Sequence, residues 1–493
     1  MSVRSGGAPG RDLKALRSPL LWIAILCTVP FLVGTGSEFW GDDRFLIFQR
    51  LEPGSGASPL EFFHQDYWMG VEESGLYRPV GLSFLLAERA LFGTWEPAYR
   101  AVSLLLHFLA CVLLWRVFAQ LVGLRAATVG ALIFACHPIH AEAVLPVYGQ
   151  LDLLAAALLA AALLARRAGR HWTGAAALGL ALLCKESAIA APLLMLWLAW
   201  TAARRVTAAE LPYWPVLGAV LALRIAVLGT VGLSREATVL GTGGIGLWAN
   251  SVIVTVGHAI RLCVWPTGQT VYYGHLRDSL RGVPVVEALW ICAGIALVWL
   301  LAGWLPKDST AVAAGWFAIC LLPVANVVPI GVLVAERTLY LPSAGIAALA
   351  GLCWVKAAGE GRRWVHGALL VALLVGCAAS ARTAWRWRTE LSLWSSTVAD
   401  HPRSPKAHAM LGHALLREAD KGRADAPALL RQADLSFSEA LRLNPGSVDA
   451  LYGRGLVLSR DGSCAEAMPY LRDAARLRAF DQEIELALRR CGQ

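Results

Sequence analysis

The sequence predicts an all-α polytopic membrane protein that ends in a small soluble helical domain. The chain has 493 residues, of which 57% are hydrophobic and 16% are charged, whereas soluble domains carry about 25% charged residues. Apolar stretches recur from Leu20 to Ala381, far beyond the length of a signal peptide. Because the composition turns polar from Ser392 onward, we expect a membrane domain over residues 1–382 and a soluble domain over residues 383–493.

The first apolar segment, residues 19–36, sets the predicted orientation. Basic residues mark the cytoplasmic flanks of membrane helices, and four of them precede this segment: Arg4, Arg11, Lys14 and Arg17. We therefore expect a cytoplasmic N-terminus and a long external loop over residues 37–98. Within that loop, residues 79–92 have the pattern of an amphipathic helix that lies along the membrane surface.

The remaining spans follow from the same apolar pattern. Roughly 20 mostly apolar residues cross a bilayer as a helix, and about eleven segments, some of them short, fit this requirement. They are residues 19–36, 99–122, 125–136, 151–165, 171–184, 187–202, 211–232, 285–304, 311–325, 339–355 and 364–381. Residues 241–267 are ambiguous, and we interpret them as non-spanning because the downstream basic residues then stay cytoplasmic. An odd number of spans places the C-terminal domain outside.

The C-terminal domain contains an internal repeat. Ala433 recurs as Ala467 and Phe437 as Leu471, each 34 residues later, which is the tetratricopeptide period. Two repeats are marginal alone, because stacked units support each other, so we expect flanking helices to cap them. A generic helical hairpin is the alternative. Such repeats bind peptides or proteins and therefore indicate a polypeptide substrate or partner.

The net charge of +9 and the eleven cysteines restrict the function further. The basic residues cluster between apolar stretches, as the positive-inside rule expects, so we do not expect nucleic-acid binding. Most cysteines lie in or beside apolar stretches, where they behave as small hydrophobic residues. Cys464 and Cys491 lie in the polar tail, where they either form a disulfide in an oxidising compartment or remain free thiols.

Two polar motifs lie at predicted external turns. Asp42 and Asp43 are either a solvated helix flank, a metal site, or a general base with its neighbour. The motif from His137 through His140 to Glu142 lacks the spacing of a zinc protease and contains a proline. We therefore predict no metal there and expect helix capping and hydrogen bonds to a bound headgroup.

Several cations also lie where the membrane must tolerate them. Lys185 and Glu186 interrupt an apolar hairpin, either as an ion pair or with the lysine bound to lipid phosphate. Arg78 and Arg337 present the same choice, because a guanidinium group suits phosphate oxygens. Cations that converge beside a carboxylate pair would form a site for an anionic lipid-linked donor.

Together these segments resemble the transmembrane and tetratricopeptide-repeat family of protein O-mannosyltransferases, within the GT-C class of glycosyltransferases. The motifs that carry the resemblance are, in order, Gly41-Asp42-Asp43, Tyr77-Arg78-Pro79, His137-Pro138-Ile139-His140-Ala141-Glu142, Cys184-Lys185-Glu186-Ser187, Asn326 and Ala335-Glu336-Arg337-Thr338-Leu339-Tyr340. The resemblance implies a GT-C-like fold and inverting transfer of mannose or a similar sugar. The donor would be a polyprenyl-phosphate sugar and the acceptor a protein hydroxyl on the non-cytoplasmic side.

The resemblance also assigns roles to residues. It implies an aspartate of the external loop as the base, Asp42 by slight preference over Asp43, and three cations that neutralise the leaving phosphate. Those cations are Arg78, Lys185 and Arg337. The residues expected to line the substrate pocket are His137, His140, Glu142, Asp152, Glu186, Asn326 and Glu336. We expect no tightly bound cofactor and leave a need for a divalent metal open. The expected partners are the lipid-linked donor, a polypeptide and membrane lipid.

Two departures from the family pattern leave the sugar and the acceptor open. Where the family has Gly-Arg-Ala-Asp, this chain has Gln150 in place of the arginine, and a later Asp-Tyr pair is Tyr272-Tyr273 here. The alternatives are a transporter or flippase of a lipid-linked sugar, for which no internal repeat is visible in the membrane region, and a non-catalytic scaffold that displays the repeats. The composition, rich in alanine, leucine and arginine, suggests a bacterial inner membrane with periplasmic repeats.

Overall fold

The computed structural model describes residues 9–36, 38–68, 75–204, 211–229, 244–274, 276, 280, 282–330, 332–422, 425–478 and 481–492. These residues form helices and connecting loops and contain no β-strand, so the predicted all-α class is confirmed. The chain divides into two compact units. The first comprises residues 1–269 and 279–385, and the second comprises residues 270–278 and 386–493.

The first unit is built from long apolar helices joined by short turns. Its helices are α1 (Pro9–Thr28), α2 (Pro79–Phe92), α3 (Glu96–Leu121), α4 (Leu124–Ala135), α5 (Gln150–Arg167), α6 (His171–Cys184), α7 (Ala191–Ala203), α8 (Tyr213–Leu228), α9 (Gly244–Val264), α10 (Val285–Trp304), α11 (Lys307–Leu321), α12 (Tyr340–Gly359) and α13 (Trp364–Arg386). Single-turn helices occur at Asp42–Phe45 and Ala141–Val144. Short 3-10 or π segments lie at Val29–Gly34, Leu46–Arg50, Glu61–Phe63, Pro138–His140, Val147–Gly149, Glu186–Ala190, Leu322–Val324 and Glu336–Leu339.

Several of these helices are long and apolar enough to cross a membrane. Within the described ranges, seven helical stretches meet this criterion, and an eighth does if the bent pair Leu124–Ala135 and Pro138–Val144 counts as one span. Pro19–Gly34, His171–Cys184 and Tyr213–Leu228 are shorter apolar helices. A protein with several membrane helices is therefore confirmed, while about eleven spans remains a prediction.

Helix α9 has 21 residues and meets the criterion for a span, whereas the charge pattern predicts that this segment does not span. Trp248, near its start, donates to the carbonyl of Val327 at 3.0 Å. Near its end, the carbonyl of Cys263 lies 3.2 Å from Nε2 of His137. The segments that hold Val327 and His137 lead into Arg337 and Glu142, which form an ion pair. By length and composition α9 qualifies as a span, and its non-spanning placement remains a prediction.

Charged turns at the opposite end of the bundle also meet one another. Arg204, after α7, forms an ion pair with Asp308 at the start of α11. Trp304, at the end of α10, donates to Glu360 after α12 at 3.0 Å. These are turns that the charge pattern predicts to be cytoplasmic. Their placement on the cytoplasmic side remains a prediction.

The second unit is a stack of short helices. They are α14 (Glu390–Asp400), α15 (Pro405–Ala419), α16 (Ala426–Leu443), α17 (Val448–Arg460), α18 (Cys464–Leu477) and α19 (Gln482–Cys491). The ring of Phe437 packs so closely on Gly412 and Gly453 that a Cβ atom at either glycine would lie within 2.5 Å of it. Cys464 and Cys491 form a disulfide. Helix pairs with small residues facing an aromatic ring are what the repeat predicts, and the tetratricopeptide assignment remains a prediction.

Candidate active site

The two aspartates of the acidic pair lie in different environments at the single-turn helix Asp42–Phe45. Asp43 is fully buried, and its carboxylate accepts hydrogen bonds from the backbone N–H groups of Val147 and Tyr148 at 2.9 and 3.0 Å. The side chain of Asp42 is exposed. Each oxygen of the Asp43 carboxylate is engaged by a backbone donor, whereas the carboxylate of Asp42 is open to solvent. The pair presents one accessible carboxylate beside one that belongs to the interior.

The protein environment changes the acidity of both carboxyl groups. The protein around Asp42 reduces its hydration and so raises the pKa of its carboxyl group, although Arg337 and Arg78 oppose the shift. Burial likewise raises the pKa of Asp43 against the charge of Arg100. Asp42 remains accessible to solvent although protein surrounds it, so it lies in a recess that is open on one side. A carboxylate with a raised pKa is a stronger general base.

Arg78 caps the start of α2 and is held by a carboxylate from across the chain. Its Nε lies 3.1 and 3.0 Å from the two carboxylate oxygens of Glu186, and a terminal nitrogen lies 2.8 Å from Oε2. Arg224 of α8 approaches the same carboxylate at 3.6 Å. The Arg78 guanidinium also lies over the ring of Tyr67, 5.0 Å from its centroid. Two arginines thus share one carboxylate, which leaves an excess of positive charge there.

Lys185 pairs with a carboxylate at the start of α5. Its Nζ lies 3.0 Å from Oδ2 of Asp152, and both side chains are buried. Burial lowers the pKa of Lys185 to about 8, with Arg78 adding to the shift and Asp152 opposing it. The lysine is therefore a cation near neutral pH that loses its charge at moderately alkaline pH.

Arg337 connects the sequence motif at residues 335–340 to the motif at residues 137–142. Its side chain forms an ion pair with Glu142, and its backbone N–H donates to Oε2 of the same carboxylate at 3.1 Å. The guanidinium lies over the ring of Tyr148, 5.1 Å from its centroid. A quarter of the Arg337 side chain stays exposed, whereas Glu142 is buried. Glu142 therefore orients the arginine, and part of the guanidinium remains available to a ligand.

Two of these cations, Arg78 and Arg337, act on both Asp42 and the third cation, Lys185. A narrow cleft of about 10 Å³, partly open to solvent, adjoins Arg337. Its polar lining comes from Asp152, Ser187, Arg337, Thr338 and Tyr340. The structure thus brings together the predicted base, the predicted phosphate-binding cations, and Glu142, Asp152 and Glu186.

The two histidines predicted to line the pocket, half-buried His137 and buried His140, both contact protein groups. His137 accepts from the backbone N–H of Ile139 at 3.3 Å, and its other ring nitrogen lies near the carbonyl of Cys263. His140 lies 3.1 Å from the hydroxyl of Ser343 and is fully buried. The expected helix capping is present at His137, but neither ring lines the cleft beside the cations. Their physical role here is to hold the bent segment between α4 and α5.

Asn326 and Glu336, also predicted for the pocket, likewise bind protein groups. Asn326 adopts a positive φ of 56° and donates to the hydroxyl of Thr255 at 2.9 Å, while its own side-chain oxygen accepts from Ile330. Glu336 accepts from Gln269 at 2.7 Å. Both residues shape the segment that precedes Arg337. They position a cation instead of lining the cleft.

Sequence reasoning missed two arginines that pair with carboxylates of the site, and it noted Gln150 only as a departure from the family pattern. Arg100 pairs with Asp43 from inside α3, and Arg224 reaches Glu186 from inside α8. A charge inside an apolar helix is itself a functional signal, and it was present in the sequence for both arginines. The amide of Gln150 donates to Glu88 at 3.3 Å and to the carbonyl of Tyr99 at 2.9 Å. Burial raises the pKa of Glu88 to about 8.

Comparison with known proteins bears on the family. The family model described as dolichyl-phosphate-mannose-protein mannosyltransferase matches residues 78–229. A protein O-mannosyl-transferase of Caenorhabditis elegans is 25% identical over 465 residues, which cover 90% of this chain and 65% of that protein. The predicted resemblance to this family is confirmed. TMTC4, a protein O-mannosyl-transferase of Mus musculus, is 26% identical over 483 residues, covering 81% of this chain and 63% of the mouse protein.

The matches cover only part of each of these relatives. The chain spans about three fifths of the length of the curated relatives it matches. The segment matched by the family model begins at Arg78 and contains Glu142, Asp152 and Lys185. Among solved structures, ArnT from Cupriavidus metallidurans bound to undecaprenyl phosphate is 15% identical, with a TM-score of 0.40, and the match covers 98% of this chain and 85% of ArnT.

Proposed function

We propose that this chain is a membrane glycosyltransferase with a GT-C-like fold. It transfers mannose or a similar sugar from a polyprenyl-phosphate donor to a protein hydroxyl on the non-cytoplasmic side, with inversion at the anomeric carbon. One observation carries the proposal: accessible Asp42 lies within the field of Arg78 and Arg337, while its neighbour Asp43 is locked in the interior. The names of the relatives, protein O-mannosyl-transferases, support the same reaction class.

The proposed chemistry follows from the different environments of Asp42 and Asp43. Asp42 accepts the proton of the acceptor hydroxyl, and the oxygen attacks the anomeric carbon from the face opposite the phosphate. The bond between that carbon and the phosphate oxygen breaks, and the lipid phosphate leaves with the bonding electrons. Arg78, Lys185 and Arg337 stabilise the negative charge that develops on the phosphate.

Asp43 and Arg100 act as positioning residues in this scheme. Asp43 anchors the single-turn helix to the backbone at Val147 and Tyr148, so the orientation of Asp42 is fixed before substrate binds. A base held in one orientation loses little entropy in the reaction. In the proposed reaction Asp42 thus accepts the proton, and Asp43 holds Asp42 in place.

The second unit supplies the proposed polypeptide contact. Stacked helical repeats bind peptides or partner proteins, and we assign the same role to α15–α18. The Cys464–Cys491 disulfide supports an oxidising, non-cytoplasmic location. A bacterial inner membrane with a cytoplasmic N-terminus and periplasmic repeats fits this chemistry. No tightly bound cofactor is part of the proposal.

The test is sugar transfer by the full-length protein in proteoliposomes, from a labelled polyprenyl-phosphate mannose to a serine- and threonine-rich peptide. Asp42→Asn should lower the transfer rate by about 10²–10⁴-fold, the range of a general base. Glu52→Gln, an exposed acid in the same loop, serves as the matched control and should leave the rate unchanged. Equal rates for wild type and Asp42→Asn would reject the proposed base, and label that crosses the membrane without reaching peptide would instead indicate a flippase.

A further inference from the structure

A second cluster of reactive side chains lies in the first unit, distinct from the acidic cleft. Cys27 lies in the last turn of α1, and His107 and Cys111 lie on α3. Each side chain is at most 1% exposed, and one ligand atom from each lies within 4.8 Å of the others. His107 and Cys111 are four residues apart, so the helix places them on one face. Two helices therefore bring two thiols and an imidazole together in an apolar interior.

The imidazole of His107 is oriented as a metal ligand would be. Its Nε2 lies 3.0 Å from the backbone carbonyl of Ala135, which only accepts, so this nitrogen carries the proton. Nδ1 therefore accepts a hydrogen bond from the hydroxyl of Tyr340 at 2.8 Å and lies 3.8 Å from Sγ of Cys111, so an ion would bind between these groups in place of that hydrogen bond. Histidines that bind metal characteristically donate their other N–H to a carbonyl or carboxylate. The hydrogen bond to Ala135, which would hold His107 in the orientation of a metal ligand, is thus already present.

The spacing and the charge suit a thiophilic divalent cation. In a tetrahedral zinc site, with Zn–N of about 2.1 Å and Zn–S of about 2.3 Å, the nitrogen and sulfur lie about 3.6 Å apart. The 3.8 Å between Nδ1 and Sγ of Cys111 is close to this separation. Two thiolates neutralise a divalent charge, so the buried site has no net charge to solvate. The two thiol protons leave to solvent as the ion binds.

We propose that Cys27, His107 and Cys111 bind a Zn²⁺ ion that joins α1 to α3, with the Tyr340 hydroxyl oxygen completing a closed four-coordinate site. Tyr340 is the first residue of α12 and lines the cleft that contains Arg337. An ion here would fix the start of α12 relative to α1 and α3. The site itself does not depend on the proposed transfer activity.

Metal content tests the site directly. Full-length protein, purified in detergent without chelator and equilibrated with ZnSO₄, should hold about one zinc per chain by inductively coupled plasma mass spectrometry, as a structural site does. Cys27→Ser and Cys111→Ser should each lose most of this zinc. Cys320→Ser is the matched control, because Cys320 is another buried cysteine of the same unit, and it should retain the metal.

A second measurement on the wild-type protein avoids any effect of substitution on folding. X-ray absorption spectroscopy of the zinc-loaded wild type should show two zinc–sulfur contacts at about 2.3 Å and a zinc–nitrogen contact at about 2.1 Å. Cobalt in place of zinc should give a thiolate-to-cobalt absorption band. Zinc content that is negligible or equal in wild type and both serine variants overturns the proposal. So does bound zinc without sulfur ligands, or a Cys27–Cys111 disulfide in the purified protein.

Discussion

The carboxylate of Asp43 lies 3.4 Å from the guanidinium of Arg100, and neither side chain is more than 1% exposed. Arg100 also donates to the carbonyl of Leu145, just before the segment whose backbone binds Asp43. This buried pair ties the acidic loop to α3 and to the turn before α5. The base of the proposed reaction therefore stands on a rigid support that is itself not exposed to substrate.

The first prediction separates support from catalysis within the acidic pair. Asp43→Ala should destabilise the protein by about 3–5 kcal/mol, because it leaves Arg100 buried without its carboxylate. Asp42→Ala should change stability by less than about 1 kcal/mol, since an exposed side chain contributes little, yet it should abolish transfer. Thermal unfolding of the two variants in detergent measures the first quantity. A larger stability loss in Asp42→Ala than in Asp43→Ala would reverse the assignment.

The second prediction concerns the cation that stays partly exposed. Arg337→Ala should lower the transfer rate by about 10²–10³-fold, as expected for removal of a group that stabilises developing charge. Arg337→Lys should recover little of it, because lysine does not reproduce the planar guanidinium held by Glu142 and Tyr148. Steady-state transfer assays with varied donor concentration provide the measurement. Arg362→Ala, at the opposite end of the bundle and half exposed, is the control and should behave as wild type.

The third prediction is a pH dependence set by Lys185. Burial holds the pKa of this lysine at about 8, below its ordinary value of 10.5. If Lys185 supports phosphate departure as a cation, transfer should fall as the pH rises through about 8. Lys185→Arg should shift this alkaline decline to higher pH, because arginine stays charged. An unchanged alkaline limb in that variant would exclude Lys185 as its origin.

Lys185 also makes folding stability depend on pH, in the direction opposite to its effect on activity. Between about pH 8 and 10.5 the unfolded chain binds a proton at Lys185 that the folded chain does not, so the contribution of this residue to folding stability rises with pH there. Activity and the Lys185 contribution to stability should therefore diverge in the alkaline range. Thermal unfolding of wild type and Lys185→Met across this range isolates the contribution.

The sequence was sufficient for the all-α class and for the cations of the site, because composition and charge at membrane depth are local signals. It was not sufficient to tell Asp42 from Asp43, which are neighbours of the same chemistry. Their difference arises from the backbone at Val147 and Tyr148, more than a hundred residues away. Only tertiary packing brings those donors to one of the two carboxylates.

The sequence also does not show which of the predicted pocket residues contact protein groups. His140 and Asn326 are polar residues in apolar surroundings, and the sequence does not show whether such a group faces ligand or protein. Here Ser343 satisfies His140, and Thr255 satisfies Asn326. Each partner lies more than seventy residues away, so no local pattern could have revealed it.

The last prediction addresses the position where this chain has glutamine and the family has arginine. Gln150 donates to Glu88, whose pKa burial raises to about 8, so this acid is largely protonated at neutral pH. Gln150→Arg places a cation beside Glu88, which should then ionise and pair with it, so the variant should fold with near wild-type stability.

The Gln150→Arg, Glu88→Gln double variant lacks that counter-charge. It should lose about 3–5 kcal/mol relative to Gln150→Arg, as an unpaired buried cation does, and more than Glu88→Gln alone loses relative to wild type. Thermal unfolding of all four proteins in one double-mutant cycle gives the coupling energy, and a coupling near zero would show that Glu88 does not respond to the residue at position 150.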